Sequence, residues 1–328
     1  MINDHLPTLQ RAYHFTETPE IITDRLCRIS KNGTTIALKR LKADRLQQKQ
    51  MLQHLMILKR ERVQSGPSVL AAADGSPITR INGHDYMATY WMDSTGSPSA
   101  DPLPVMMDQL ARFHRYSTRQ KALDKNMLLS YEKHHAEAIR KWEQTFRFQH
   151  EEFSRLYYPS PLARQYMLNY EFLYKALERS KQAYQKWFER ICSIEKARRG
   201  CLHGYCEEEH LIYTPNEETY FINWERTKIG HPVEDIAQLI RSAVQKRLFY
   251  EVNPITWLQF YEERLPLLEE EKWLLLSILY SPVPLFLTLQ NSHRLNVSMR
   301  KMSVQFEEEL LLLTIFHQLN EPSGPPTG

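Results

Sequence analysis

Glycine is scarce in this chain, with 10 residues in 328 against a usual share of about 7%. That scarcity speaks against several tight loops that cradle phosphates through exposed backbone amides. Cysteine is scarcer still. The four residues Cys27, Cys192, Cys201 and Cys206 cannot form a disulfide framework in a chain this long, and synthesis and folding in a reducing cytoplasm are expected. Neither sign of charge dominates: the formal net charge of +3 is too small to require nucleic acid or an anionic membrane as a partner. Long apolar runs are missing as well. The strongest, Trp273 to Leu289, is split by Pro282 and Pro284 with Lys272 at its edge. This predicts two buried helical segments and no membrane insertion. Residues 1–24 are polar and acidic, without the apolar core of a secretory signal.

What remains has the balance of a globular protein, 42% hydrophobic and 25% charged, and enough length for a large core in one or two domains. Residues 20–42 alternate apolar and polar around Asn32-Gly33, the strongest short hairpin signal. Residues 44–63 lack Gly and Pro, and Asp44 makes an N-cap for a helix there. Strands are expected at Ser68–Ala72 and Gly83–Met92, with turns at Asp74-Gly75-Ser76-Pro77 and Asn82-Gly83.

Ser94–Pro104, with Gly96, Pro98, Pro102 and Pro104 among serines, reads as a linker. Beyond it helices are expected over 105–116, 129–153, 162–196, 233–249, 255–268, 270–280 and 299–319. A loop-and-strand segment at 201–224 interrupts them. The cluster Lys196-Ala197-Arg198-Arg199 reads as a solvated helix end, and the tail Pro322–Gly328 as disordered. The division expected is a β-rich N-lobe at 1–93, a linker at 94–104 and a helical C-lobe at 105–321. A ligand is expected in the cleft of such a bilobal arrangement.

The chemistry-bearing stretch is His203-Gly204-Tyr205-Cys206-Glu207-Glu208-Glu209-His210, followed after a strand by Phe221-Ile222-Asn223-Trp224-Glu225. Its spacing is that of a kinase-type catalytic loop, H-x-D-x-x-x-x-N, and the metal-binding Asp after the next strand. Further stretches are Ala37-Leu38-Lys39, Leu110-Ala111-Arg112-Phe113-His114 and Gly230-His231-Pro232-Val233-Glu234-Asp235-Ile236-Ala237. Together these resemble the aminoglycoside-phosphotransferase and choline-kinase branch of protein-kinase-like folds over roughly residues 15–320. Within that branch the chain is similar to endospore coat proteins of the CotS group. The resemblance implies an α+β, bilobal, protein-kinase-like fold with a small β-rich N-lobe and a large helical C-lobe.

It also implies roles. Lys39 matches the lysine that grips nucleotide phosphates. Tyr205 stands where the catalytic Asp belongs, His210 where an Asn holds one magnesium ion, and Asn223 where an Asp bridges the metals. His203 and Asp235 match structural anchors of the catalytic loop, and His231 replaces an Asp. No Gly-rich loop precedes Lys39, since Gly33 sits at the hairpin tip.

These substitutions remove chemistry. Magnesium takes hard oxygen ligands, whereas His210 offers imidazole nitrogen, suited to zinc, copper, iron or nickel. Asn223 keeps an oxygen without its charge. A phenol titrates near pH 10, so Tyr205 is a poor general base at neutral pH. Glu207, Glu208 and Glu209 point elsewhere in a tight loop and read as solvated acids. Cys201, His203, Cys206 and His210 are potential zinc ligands, but C-x-H-x-x-C-x-x-x-H is not a common zinc spacing, and a buried cysteine is ordinary. Helix 44–63 offers only Asp44 and Glu61 as acids, both badly placed, so Lys39 is expected to be unpaired and solvated. Trp224-Glu225 reads as packing plus a loop hydrogen bond, and Leu110–His114 as a core stripe with His114 at its polar edge.

The leading expectation is a catalytically degenerate kinase-fold protein with no cofactor and no metal. By resemblance it is a structural or interaction component of the bacterial endospore coat, with other coat proteins as partners. The alternatives are an ATP- and magnesium-dependent small-molecule phosphotransferase with an altered site, or a non-catalytic nucleotide or metabolite sensor.

Overall fold

The computed structural model describes residues 2–31, 33–60, 66–95, 102–215, 218–246, 254–292 and 299–319. A 3-10 turn at Ile2–His5 leads into α1 (Leu6–Tyr13), β1 (Glu20–Thr23), β2 (Leu26–Lys31), β3 (Thr34–Arg40), α2 (Arg45–Arg60), β4 (Val69–Leu70), β5 (Thr79–Ile81), β6 (His84–Tyr90) and α3 (Pro102–Ser117). Then come β7 (Thr118–Ala122), α4 (Lys125–Ser154), α5 (Pro161–Leu168), α6 (Tyr170–Cys192), β8 (Lys196–Leu202), β9 (Leu211–Tyr213), β10 (Thr219–Phe221) and β11 (Lys228–Gly230). The remaining helices are α7 (Pro232–Gln245), α8 (Pro254–Glu262), α9 (Glu269–Tyr280), α10 (Val283–Ser292) and α11 (Met299–Leu319). Two compact units result: Met1–Thr118 with Gly200–Gly230 and Phe260–Leu265, and Arg119–Arg199 with His231–Gln259 and Pro266–Gly328.

The first unit is built on an antiparallel sheet of order β1-β2-β3-β6-β4, with β5 also paired to β6. The expected hairpin is β2–β3, with Lys31 opposite Thr34. Gly33 turns at φ +76°, which glycine adopts without steric cost; Asn32 lies outside the described residues. Cys27, Ile29, Ile36, Leu38, Tyr86 and Ala88 form one core face. Each such aliphatic side chain contributes about 1.5–3 kcal/mol on burial.

That face is covered by Leu9, Tyr13 and Phe15, from a segment that the composition of residues 1–24 did not mark as structured. Leu9 and Tyr13 are spaced i, i+4 on α1, enough to present one apolar stripe. Asp44 does cap α2: its Oδ1 accepts from Gln47 N at 2.9 Å, and Gln47 Oε1 accepts from Asp44 N at 3.2 Å, a reciprocal cap. The Glu61 end of that helix falls outside the described residues.

Residues 96–101 of the proposed linker lie outside the described residues, but Pro102–Pro104 forms the first turn of α3, where a missing N–H and a fixed φ suit proline. His114 is fully buried, not at a polar edge, and its Nδ1 lies 2.9 Å from the Tyr261 hydroxyl.

In the second unit α6 buries Leu173, Ala176, Leu177, Ser180, Tyr184, Trp187 and Ile191, an i, i+3, i+4, i+7 stripe. Asn169 divides the expected 162–196 helix into α5 and α6. The prolines split the apolar run as expected, with α9 ending at Tyr280 and α10 starting at Val283. Among the described residues no helix is long and apolar enough to cross a membrane. The basic cluster at 196–199 is corrected from a solvated helix end to the start of β8. Arg198 Nε lies 2.8 Å from Glu271 Oε1, and the Glu271 side chain is 1% exposed. The tail 322–328 lies outside the described residues.

Candidate functional site

The geometry around Lys39 follows from strand alternation. Leu38 points into the core of the first unit, so Lys39 stands on the opposite face of β3. The hairpin of β9 and β10 sets Leu211 opposite Phe221, and Ile222 N donates to the His210 carbonyl at 2.8 Å. The residues just outside the pairing, His210 and Asn223, are thereby neighbours.

Trp224 fixes the exit from this hairpin. It is buried, its indole N–H donates to the Phe221 carbonyl at 2.7 Å, and its ring meets Phe113 edge-on at 4.8 Å. Asn223 takes the left-handed conformation, φ +66° and ψ +46°, which Asn tolerates better than most residues.

A continuous hydrogen-bonded chain results. Lys39 Nζ is 2.6 Å from Glu225 Oε1 and donates at 2.6 Å to Asn223 Oδ1. Asn223 Nδ2 faces His210 Nε2 at 2.8 Å, and His210 Nδ1 faces the Tyr205 carbonyl at 2.8 Å. A carbonyl only accepts, so Nδ1 of His210 carries the proton and Nε2 accepts from Asn223. Burial pushes the His210 imidazole below its ordinary range, opposed by its bond to Tyr205. The ring is neutral in this chain.

Glu225 anchors the other end. It accepts from Lys42 N at 2.8 Å, and Arg25 Nη1 lies 3.8 Å away. Burial acts to raise its carboxyl, but the Lys39 charge and these donors outweigh that and hold it below the ordinary range. The solvated, unpaired Lys39 expected from sequence is therefore corrected. Its carboxylate comes from the turn after β10 and not from α2, and the relevant signal was the acid two positions after Asn223.

His203 is fully buried. Its Nε2 lies 2.9 Å from the Ile222 carbonyl and its Nδ1 accepts from Tyr205 N at 3.3 Å. Gly204 turns at φ +76°, and a Cβ there would collide with the Arg226 carbonyl. The Tyr205 ring carries the Arg226 guanidinium at 4.0 Å and lies 4.8 Å from the His210 ring. Lys39, His203, Tyr205, His210 and Asn223 thus share one neighbourhood. Asp235 belongs to the second unit, buried in the first turn of α7. Glu209 is exposed, while Glu207 and Glu208 are half-buried. Cys201 and Cys206 are buried and in no disulfide, and among the described residues no group of three or more His, Cys, Asp or Glu could hold a metal ion.

This donor set does not fit magnesium. The Asn223 oxygen already accepts from an ammonium, and both His210 nitrogens are engaged. The Glu225 carboxylate is paired to Lys39. Above the chain lies a pocket of 260 Å³ with apolar walls including Ala37, Met87, Trp91, Ile212 and Ile222, smaller than the roughly 300–1,000 Å³ usual for small-molecule sites.

No protein-family model matches the chain, and no curated protein does. Solved structures do. An aminoglycoside phosphotransferase from Alicyclobacillus acidocaldarius subsp. acidocaldarius DSM 446 is similar at a TM-score of 0.74 and 13% identity, covering 95% of each chain. The AMP-bound spectinomycin phosphotransferase APH(9)-Ia is similar at 0.65 and 11%, covering 97% of this chain and 99% of that one. A microcompartment-associated aminopropanol kinase follows at 0.59 and 13%, covering 97% and 98%. The fold is kinase-like, of the aminoglycoside-phosphotransferase type. It is α+β, with a β-sheet N-terminal region and a mostly helical remainder, as the family resemblance implied.

Proposed function

We propose that this chain is a catalytically degenerate member of that fold, acting as a structural or interaction component. The supporting observation is the closed chain from Glu225 through Lys39, Asn223 and His210 to the Tyr205 carbonyl. In phosphoryl transfer a protein chiefly positions groups and neutralises charge. Here the groups at those positions neutralise one another. None of Lys39, Asn223 and His210 is left over as an ionised base or as part of a hard-oxygen cage. Placement in the bacterial endospore coat, among other coat proteins, is supported by the sequence resemblance to the CotS group.

The test is a triple reversion, Tyr205→Asp, His210→Asn and Asn223→Asp, assayed for magnesium-dependent ATP binding and for phosphoryl transfer. The unaltered chain is expected to do neither, and the revertant to gain magnesium-dependent binding. Phosphoryl transfer to an alcohol acceptor by the unaltered chain, abolished in Lys39→Ala, would overturn the reading. A second reading is a metal-independent nucleotide or metabolite sensor, with the small pocket beside Lys39 as its site. Thermal stabilisation by ATP without any magnesium requirement would single it out.

A further inference from the structure

The second unit holds a larger cavity that the Lys39 chain does not touch. It measures 680 Å³ and is walled by rings of Tyr131, Trp142, Tyr184 and Trp187, a volume within the usual small-molecule range of roughly 300–1,000 Å³. Its polar groups are asymmetric. The wall acids are committed: Asp124 accepts from Asn126 N and Met127 N at the start of α4, and Glu234 accepts from His231 N at 2.9 Å. Arg241 is committed too, to Glu309 and to the carbonyls of Ile278 and Ser281.

Two donors are not. The indole N–H of Trp187, a residue 4% exposed, is buried without an acceptor. Arg199 Nε is likewise buried and unpartnered. A buried donor without an acceptor costs about 1–3 kcal/mol, and buried polar groups in native proteins nearly always have a partner. Both residues line this cavity.

We propose that this cavity is a binding site for a small monocarboxylate with an aryl or branched apolar body. The guanidinium of Arg199 takes the carboxylate, for which its planar fork is shaped. The Trp187 N–H supplies a further donor, and the aromatic wall takes the apolar body. Asp124 and Glu234 in the same wall disfavour a multiply charged anion such as a phosphate ester. The Arg199 charge is also felt at His231, whose imidazole is pushed down first by burial and then by that cation. A bound anion would relieve it.

Calorimetric titration of the full chain with phenylpropionate and with its neutral amide tests the site. The acid is expected to bind in the millimolar range or tighter, and the amide about tenfold more weakly. Arg199→Gln should erase that difference. Trp187→Phe, which keeps a ring and removes only the donor, should weaken the acid severalfold. Ala138→Phe, from an exposed position on the cavity wall, should block both ligands. Absence of binding by either compound, equal binding of acid and amide, or retention of the preference in a folded Arg199→Gln chain would each overturn the proposal. If Arg199→Gln does not fold, the acid affinities of Trp187→Phe and Ala138→Phe decide, and parent-like values in both would overturn it.

Discussion

At the scale of single residues, Lys39 behaves as a structural ion. Its partner Glu225 has a side chain only 11% exposed and its own is 23% exposed. Removing the lysine leaves a largely buried carboxylate with only Arg25, at 3.8 Å, as a nearby cation among the described residues. Lys39→Ala is therefore expected to cost about 1–3 kcal/mol of stability, read as a lowered urea midpoint with an unchanged slope. A lysine held only for nucleotide contact would show no such loss. Gly204→Ala should be worse tolerated, at about 2–4 kcal/mol, because both the backbone angle and the Arg226 carbonyl oppose a Cβ. The motif spacing and the family resemblance singled out Lys39, Tyr205, His210 and Asn223, and the fold sets these four side chains in one neighbourhood. The state of Lys39 was misjudged, because Glu225 lies 186 positions further on and only folding brings it near.

At the scale of elements, the segments legible from sequence were those with local punctuation. Gly33 marked the β2–β3 turn, Asp44 marked the start of α2, and Pro282 with Pro284 marked the break between α9 and α10. Those missed depend on distant partners. β8 begins Lys-Ala-Arg-Arg, which looks like a solvated helix end, yet Ala197 is buried and Arg198 is neutralised by Glu271 from α9. Glu271 also accepts from Leu268 N at 2.9 Å, so one acid ties β8 to the start of α9. Glu271→Ala removes this buried carboxylate from Arg198 and from Leu268 N and should cost about 3–5 kcal/mol, measurable by thermal or urea unfolding. The N-terminal helix was hidden in the same way, since its few apolar residues become a stripe only once the sheet of the first unit is present to receive them.

At the scale of the whole molecule, several groups bind protons less readily when folded, and they act in one direction. Burial pushes the His54 and His135 imidazoles down to about 4, and His210 is also lowered. Each contributes stability in full above the unfolded value of 6.5, and that contribution is lost as pH falls through the folded value. Glu225, lowered from 4.5, adds a further loss at lower pH by the same sign. Stability should thus be level near pH 7 to 8 and fall toward about pH 4, by up to roughly 1.4 kcal/mol per pH unit for each such group. In His54→Leu, urea midpoints measured across that range should fall less steeply than in the parent.

On the proposed reading, the Lys39 chain occupies the place where a metal-bound nucleotide would be held. An equilibrium titration of the unaltered protein with ATP, run once with magnesium and once with a chelator, tests it most directly. The two runs are expected to coincide, with weak binding or none in both. Magnesium tightening the binding by about tenfold or more would contradict it.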